Sequence, residues 1–118
     1  MKEFDLGEFS KKRKLIKDVK SGKVEVSGWV YNTRALGKIK FLLLRDISGI
    51  VQVTAVKGKV DSKIFDEIDK LTSESVVYVK GEVKPSKQAP GGREIIPDEL
   101  IVLYPRVDLE SSPPMDLE

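Results

Sequence analysis

A single helical segment set between strand-like stretches, three before it and two after, restricts what this chain can fold into more than any other feature. The strand-like stretches show apolar residues at every second position. In the first, Val24 to Tyr31, residues Val24, Val26, Gly28 and Val30 alternate with polar or amphipathic ones, and Gly28 predicts a bend or bulge where the strand curls. Asn32 to Lys38 reads as a turn centred on Gly37. Ile39 to Asp46 is a second strand with a nearly continuous apolar run. Ile47-Ser48-Gly49 is a hairpin turn into a third strand, Ile50 to Ala55. After a loop at Lys57 to Val60, Asp61 or Ser62 caps a helix to about Leu71, with Ile64, Phe65, Ile68 and Leu71 at helical spacing. Ser75 to Lys84 and Glu94 to Tyr104 are the last two strands, joined by the turn-rich Pro85 to Gly92 loop. Pro97 has no N–H to give a ladder, so it must lie at an edge or a bulge.

Three strands, a helix and two strands is the order of a five-stranded OB-fold Greek-key barrel, all-β with one helix between strands three and four. A length of 118 residues suits one such domain. Residues 1–22 form a basic N-terminal segment, in which Ser10 could cap a short helix over Lys11 to Val19 with Leu15, Ile16 and Val19 as its apolar stripe. Residues 23–104 form the barrel. Residues 105–118 are acidic, contain Ser111-Ser112-Pro113-Pro114, and read as a linker.

The chain has no cysteine and no histidine. That removes disulfides, thiolate metal sites, the usual zinc ligand and any Ser-His or Cys-His nucleophile pair. No catalytic residue and no metal ligand is therefore assigned. Apolar runs such as Phe41 to Leu44 are strand-sized, against roughly 18–20 residues needed to span a bilayer. No apolar signal-peptide region follows Met1, so a cytoplasmic protein without membrane partners is expected. Net charge is only +2 but unevenly placed. Residues 1–40 carry 11 Lys or Arg against 5 Asp or Glu, a net of +6, whereas residues 98–118 carry 6 acids against Arg106, a net of −5. A basic front half suits an anionic partner met through one face; solvated surface charge is the plainer alternative.

An OB barrel binds mainly through its second and third strands and the adjoining loops. Single-stranded bases need a ring to stack on, cations for phosphate, and amides or carboxylates to read their edges. Phe41 on strand two, Gln52 on strand three, Arg34 in the preceding turn and Glu94 at the start of strand five supply such groups. Lys38, Lys40, Arg45 and Lys87 are candidate contacts to the nucleic-acid backbone. The pattern leaves Phe41 open between core and surface, since neither Ile39, Phe41 and Leu43 nor Lys40, Leu42 and Leu44 is clearly the outer set. Arg45-Asp46 could be a local ion pair holding the hairpin. OB barrels also bind saccharides and peptides, so these residues alone do not choose the ligand.

The run from Gly28 to Gln52 resembles the N-terminal anticodon-binding domain of class IIb aminoacyl-tRNA synthetases, the aspartyl, asparaginyl and lysyl enzymes. Their pattern is roughly GWVxxxRxxGxxxFxxLRDxxGxxQ, and Gly28-Trp29-Val30, Arg34, Gly37, Phe41, Leu44-Arg45-Asp46, Gly49 and Gln52 fall on its fixed positions. Lys87 to Glu94 looks most like asparaginyl enzymes of the archaeal and eukaryotic type. The resemblance covers about residues 20 to 104 and implies that the partner is the anticodon loop of a tRNA. It implies that Phe41 stacks on the central anticodon uridine, which Gln52 hydrogen-bonds. Arg34 would support the anticodon backbone or first bases, and Glu94 would lie near the third base. Ala35 departs from aspartyl enzymes, which usually carry Asp there. The family continues into a catalytic domain that uses ATP and Mg, so the resemblance implies a piece of a longer, homodimeric ligase for Asn or Asp; the acidic tail favours this over a stand-alone protein. The domain itself would need no cofactor and would be a monomer. A single-stranded nucleic-acid binder without tRNA specificity, or an OB module for a protein partner, are the competing readings.

Overall fold

The computed structural model describes residues 15–104 except Glu74; residues 10–14 of the expected N-terminal helix, and the expected linker at 105–118, lie outside the described residues. Five strands, β1 (Gly22–Leu36), β2 (Ile39–Asp46), β3 (Gly49–Val56), β4 (Val76–Pro85) and β5 (Arg93–Tyr104), close a barrel in the order β1-β2-β3-β5-β4. Neighbours run antiparallel except β3 and β5, whose parallel pairing at Gln52↔Glu94 and Val53↔Ile95 completes the closure. The helix α1 (Ser62–Ile68) lies between β3 and β4, as an OB barrel requires. Among the described residues no helix is long and apolar enough to cross a membrane.

Alternation builds the interior. Val24, Val26 and Val30 of β1 meet Leu42 and Leu44 of β2, Val51 and Val53 of β3, Val77, Val79 and Val83 of β4, and Ile95 of β5 in one buried cluster. The Asp61 side chain accepts from the Lys63 amide at 2.8 Å and caps α1, which buries Ile64, Phe65 and Ile68 against one barrel end. The helix ends three residues earlier than its spacing predicts: the amides of Lys70 and Leu71 turn back to the carbonyls of Glu67 and Ile68 in a tight turn, which still buries Leu71.

Two details of the strands differ from the sequence expectation. The first strand runs on to Leu36, so the turn is only Gly37-Lys38, with Gly37 in the left-handed region at φ 60°. Gly28 is not at the bulge. A Cβ there would collide with the Arg45 carbonyl oxygen on the paired strand, so glycine is needed for close backbone approach. The bulge is at Tyr31, the extra residue between Val30↔Leu44 and Asn32↔Leu43. Pro97 does fall at a bulge, where β4 and β5 slip register between Lys80 and Gly81.

The N-terminal segment is part of the core. Residues Ile16–Asp18 form a single 3-10 turn, not the helix expected up to Val19, and Ile16 and Val19 are 0% and 1% exposed. Burial of two such side chains contributes about 1.5–3 kcal/mol each. Arg93 holds the segment from β5, its guanidinium donating to the carbonyls of Ile16 and Val19 at 2.8 and 2.9 Å. Asp46 holds it from β2 by accepting from the Ile16 amide at 2.8 Å. The same carboxylate accepts from the amides of Ser48 and Gly49 and the Ser48 hydroxyl, knitting the β2–β3 hairpin. Asp46 therefore serves the turn and the N-terminal segment and makes no ion pair with Arg45 among the described contacts. Partial burial raises its pKa, but the hydroxyl and amide donors outweigh that and hold it below the usual carboxylate value.

Candidate nucleic-acid interface

Side chains facing outward from β1, β2, β3 and β5 line up in rows across the sheet. In one row Arg34 lies opposite Phe41, and Phe41 opposite Thr54. In the next, Asn32 lies opposite Leu43, Leu43 opposite Gln52, and Gln52 opposite Glu94. In a third, Trp29 lies opposite Arg45 and Arg45 opposite Ile50. Directly opposed side chains have Cβ atoms about 4.5–5.5 Å apart, so each row is one contiguous patch.

Parity settles Phe41. Leu42 and Leu44 are fully buried, so Phe41 and Leu43 between and beside them face outward, half-buried. Arg34 joins that face only because of the bulge. Counted in twos from buried Val30, it would point inward; the extra residue at Tyr31 reverses the parity of everything after it. Arg34 then emerges exposed, its guanidinium carbon 5.6 Å from the Phe41 ring centroid.

Gln52, Thr54 and Glu94 form a connected polar set. The Thr54 hydroxyl donates to Glu94 Oε1 at 2.6 Å, and the Gln52 amide donates to Thr54 Oγ1 at 3.1 Å and to Glu94 Oε1 at 3.4 Å. This arrangement leaves Gln52 Oε1 and the second Glu94 oxygen without a partner among the described residues. Both are acceptors aimed from a face that also carries an aromatic ring, the combination that reads a base presenting an N–H while stacking it.

Of the candidate backbone contacts, Lys38 is exposed in the β1–β2 turn and Lys87 in the loop before β5. Arg45 is exposed on the same face as Phe41, with its guanidinium carbon 6.0 Å from the Trp29 ring and 5.9 Å from the Tyr31 ring. Lys40 is a correction. It shares the parity of Leu42 and Leu44, is 7% exposed, and turns toward α1, where Nζ donates to the Phe65 carbonyl at 2.8 Å and to Asp69 Oδ2 at 2.7 Å. Its ammonium also lies 3.9 Å from the Phe65 ring centroid. The charge satisfies the helix end and is withdrawn from the outer face.

Three residues of the face were not singled out from the sequence. Thr54 follows Gln52 by two, so alternation alone places it there. Trp29 and Tyr31, 39% and 53% exposed, lie outside by the same count from Val24, Val26 and Val30. Large aromatics left this exposed beside cations are the stacking surfaces that single-stranded nucleic acid uses.

Comparison with known proteins agrees with this geometry. The profile of the tRNA anticodon family, described as an OB-fold nucleic acid binding domain, matches residues 24–103. The aspartate–tRNA(Asp/Asn) ligase of Methanopyrus kandleri is 51% identical over 80 residues, which are 68% of this chain and 19% of that enzyme. The asparaginyl-tRNA synthetase from Pyrococcus horikoshii, solved with asparaginyl-adenylate, superposes with a TM-score of 0.72 and 40% identity over 77% of this chain and 22% of that one. An OBody bound to hen egg-white lysozyme superposes at 0.65 with 32% identity, covering 70% of this chain and 81% of that one. The chain thus spans about a fifth of the length of the ligases it matches. With a profile match from the first buried valine of β1 nearly to the end of β5, the chain belongs to the tRNA anticodon family of OB-fold nucleic acid binding domains.

Proposed function

We propose that this domain holds the anticodon loop of a tRNA for aspartate or asparagine and reads its bases for an aminoacyl-tRNA ligase. The observation that carries the reading is the adjacency of Arg34, Phe41, Gln52, Thr54 and Glu94 on one outward face, in cross-strand register. A uracil stacked on Phe41 would present its N3–H to the Gln52 amide oxygen. Glu94, on the far side of Gln52 from Leu43, would meet a neighbouring base. Arg34 packs beside the Phe41 ring and would neutralise the phosphate that links them. A wrong base leaves these acceptors unpaired against a desolvated edge, a penalty of about 1–3 kcal/mol per position.

The domain catalyses nothing in this reading. Aminoacylation, with its ATP and Mg chemistry, is proposed for the longer ligases' remaining parts, and no step of it is assigned to a residue described above. Dimerisation is likewise proposed to reside there, with this domain a monomer.

The test is binding to anticodon stem-loops carrying GUU, GUC, UUU and an unrelated anticodon, at about 0.15 M salt, with wild type and Phe41→Ala side by side. GUU or GUC should bind best, and Phe41→Ala should weaken that loop by about 5- to 150-fold, the equivalent of one lost stack of about 1–3 kcal/mol. Equal binding of all loops, unaffected by Phe41→Ala, would reduce the likeness to one of fold and favour a protein partner, as on the OBody scaffold.

A further inference from the structure

At the barrel end where the N-terminal 3-10 turn meets the loop before β5 lies a pocket of about 530 Å3. Lys17, Lys20 and Arg93 line it with Ser21, Gly91 and Gly92, and among the described residues no acidic one does. Neither lysine has an ion-pair partner among the described residues. Arg93 is fixed in place: Nε donates to the Val19 carbonyl at 2.9 Å, Nη2 to Ile16 at 2.8 Å and Nη1 to Pro90 at 3.0 Å. Three of its five N–H donors are used and two remain among the described residues. The wall beside it is built for it. Gly91, at φ 73°, stands where a Cβ would collide with the Arg93 guanidinium. A rigid planar cation flanked by two ammonium groups and a hydroxyl, in a concavity that no carboxylate among the described residues lines, matches a phosphate.

We infer that this pocket is a phosphate subsite that seats one backbone phosphate of the RNA strand whose bases are read on the neighbouring face; it rests on the anticodon reading above. Position supports the link. Arg93 directly precedes Glu94, so their Cα atoms are about 3.8 Å apart. Side chains alternate along β5, which sends Glu94 to the base-reading rows and Arg93 to the pocket. Because β5 begins at Arg93, the two faces meet at this barrel end, and a strand leaving the Glu94 row over that end would bring its next phosphate to the pocket. Such a contact fixes register and adds affinity without reading sequence.

The test is a salt titration of stem-loop binding by the full 118-residue chain, comparing wild type, Lys17→Ala/Lys20→Ala, and Lys63→Ala/Lys70→Ala near α1 as a control of equal charge change. The pocket variant should lower the slope of log K against log salt by about 1 and weaken every loop by about the same three- to tenfold. The ratio between cognate and non-cognate loops should not move, whereas Phe41→Ala moves that ratio. A wild type that prefers its loop, with a pocket variant no different from the control in slope and affinity, overturns the subsite and leaves base reading intact. Loss of loop preference in the wild type counts against base reading and not against the pocket's salt dependence. In a parallel arm, inorganic phosphate is titrated while the Gly91 and Gly92 amide resonances are followed. If it shifts them but the stem-loop slope is unchanged in the pocket variant, the pocket takes free phosphate and its assignment to RNA is wrong.

Discussion

Lys40 offers the sharpest separation between a charge that holds the fold and one that meets RNA. Lys40→Met keeps the apolar stem and removes the ammonium. The side chain of Lys40 is 8% exposed and that of Asp69 63%, so the ion pair is half in water and contributes at most about 1 kcal/mol. The Phe65 carbonyl is the more costly loss. It lies in the last turn of α1, is buried at the contact, and has the Lys40 ammonium as its side-chain donor at 2.8 Å; orphaning such a group costs about 1–3 kcal/mol. Losing the ammonium over the Phe65 ring adds about 1 kcal/mol. Against these stands the desolvation of the ammonium, which methionine avoids. The balance is a loss of about 1–2 kcal/mol, or a shift of about 1 M in the urea midpoint at a slope of 1–2 kcal/mol/M. Asp69→Asn, with its partner still able to bond the carbonyl, should cost less than about 1 kcal/mol. Unfolding can be followed by the fluorescence of Trp29, the sole tryptophan. Stem-loop affinity and its salt slope should stay at wild-type values in Lys40→Met once the protein is folded. Unchanged stability with a weakened, less salt-dependent RNA complex would refute the reasoning and return Lys40 to the outer face.

Two further perturbations bear on how the face is held. Gly28→Ala should destabilise by about 3 kcal/mol or more, a fall above about 10 °C in Tm, because its Cβ meets the Arg45 backbone, which cannot swing aside as a side chain can; a Tm within about 3 °C of wild type would contradict the close approach. Asp46→Asn tests the hairpin network through pH. The folded pKa of Asp46 lies below the ordinary 3.8, so its stabilisation is fully present above that value and is lost as pH falls through the folded pKa. The stability gap between wild type and Asp46→Asn should be about 1 kcal/mol near neutral pH and close below about pH 4; a gap that persists unchanged into acid would remove the charge from the explanation.

The sequence was most readable where local pattern and tertiary environment agree. Val24, Val26 and Val30 alternate because one side of β1 is core, Asp61 caps because α1 starts beside it, and Pro97 lies at a bulge because it has no amide to give. It was least readable where one strand's conformation depends on its partner. The register slip at Tyr31 cannot be read from β1 alone, since two residues opposing one is a property of the pair Val30↔Leu44 and Asn32↔Leu43. Gly28 drew the expectation of a bulge because glycine is permissive, yet its role comes from the Arg45 carbonyl across the ladder.

The same dependence decides which side chains make up the site. Pattern left Phe41 ambiguous because Ile39 to Leu44 is apolar at nearly every position, and only the burial of Leu42 and Leu44 assigns the faces. Lys40 looked like surface charge because no local signal announces that α1 will deliver the Phe65 carbonyl and Asp69 to it. Gln52 and Glu94 are 42 residues apart in sequence, and what joins them is the parallel β3–β5 pairing that closes the barrel. A change that opened that closure would separate the two acceptors while leaving Phe41 and Arg34 on the β1–β2 ladder. Under the proposed function, stacking would then survive where base discrimination did not. Barrel closure would be what turns a patch able to bind single strands into one able to choose between them.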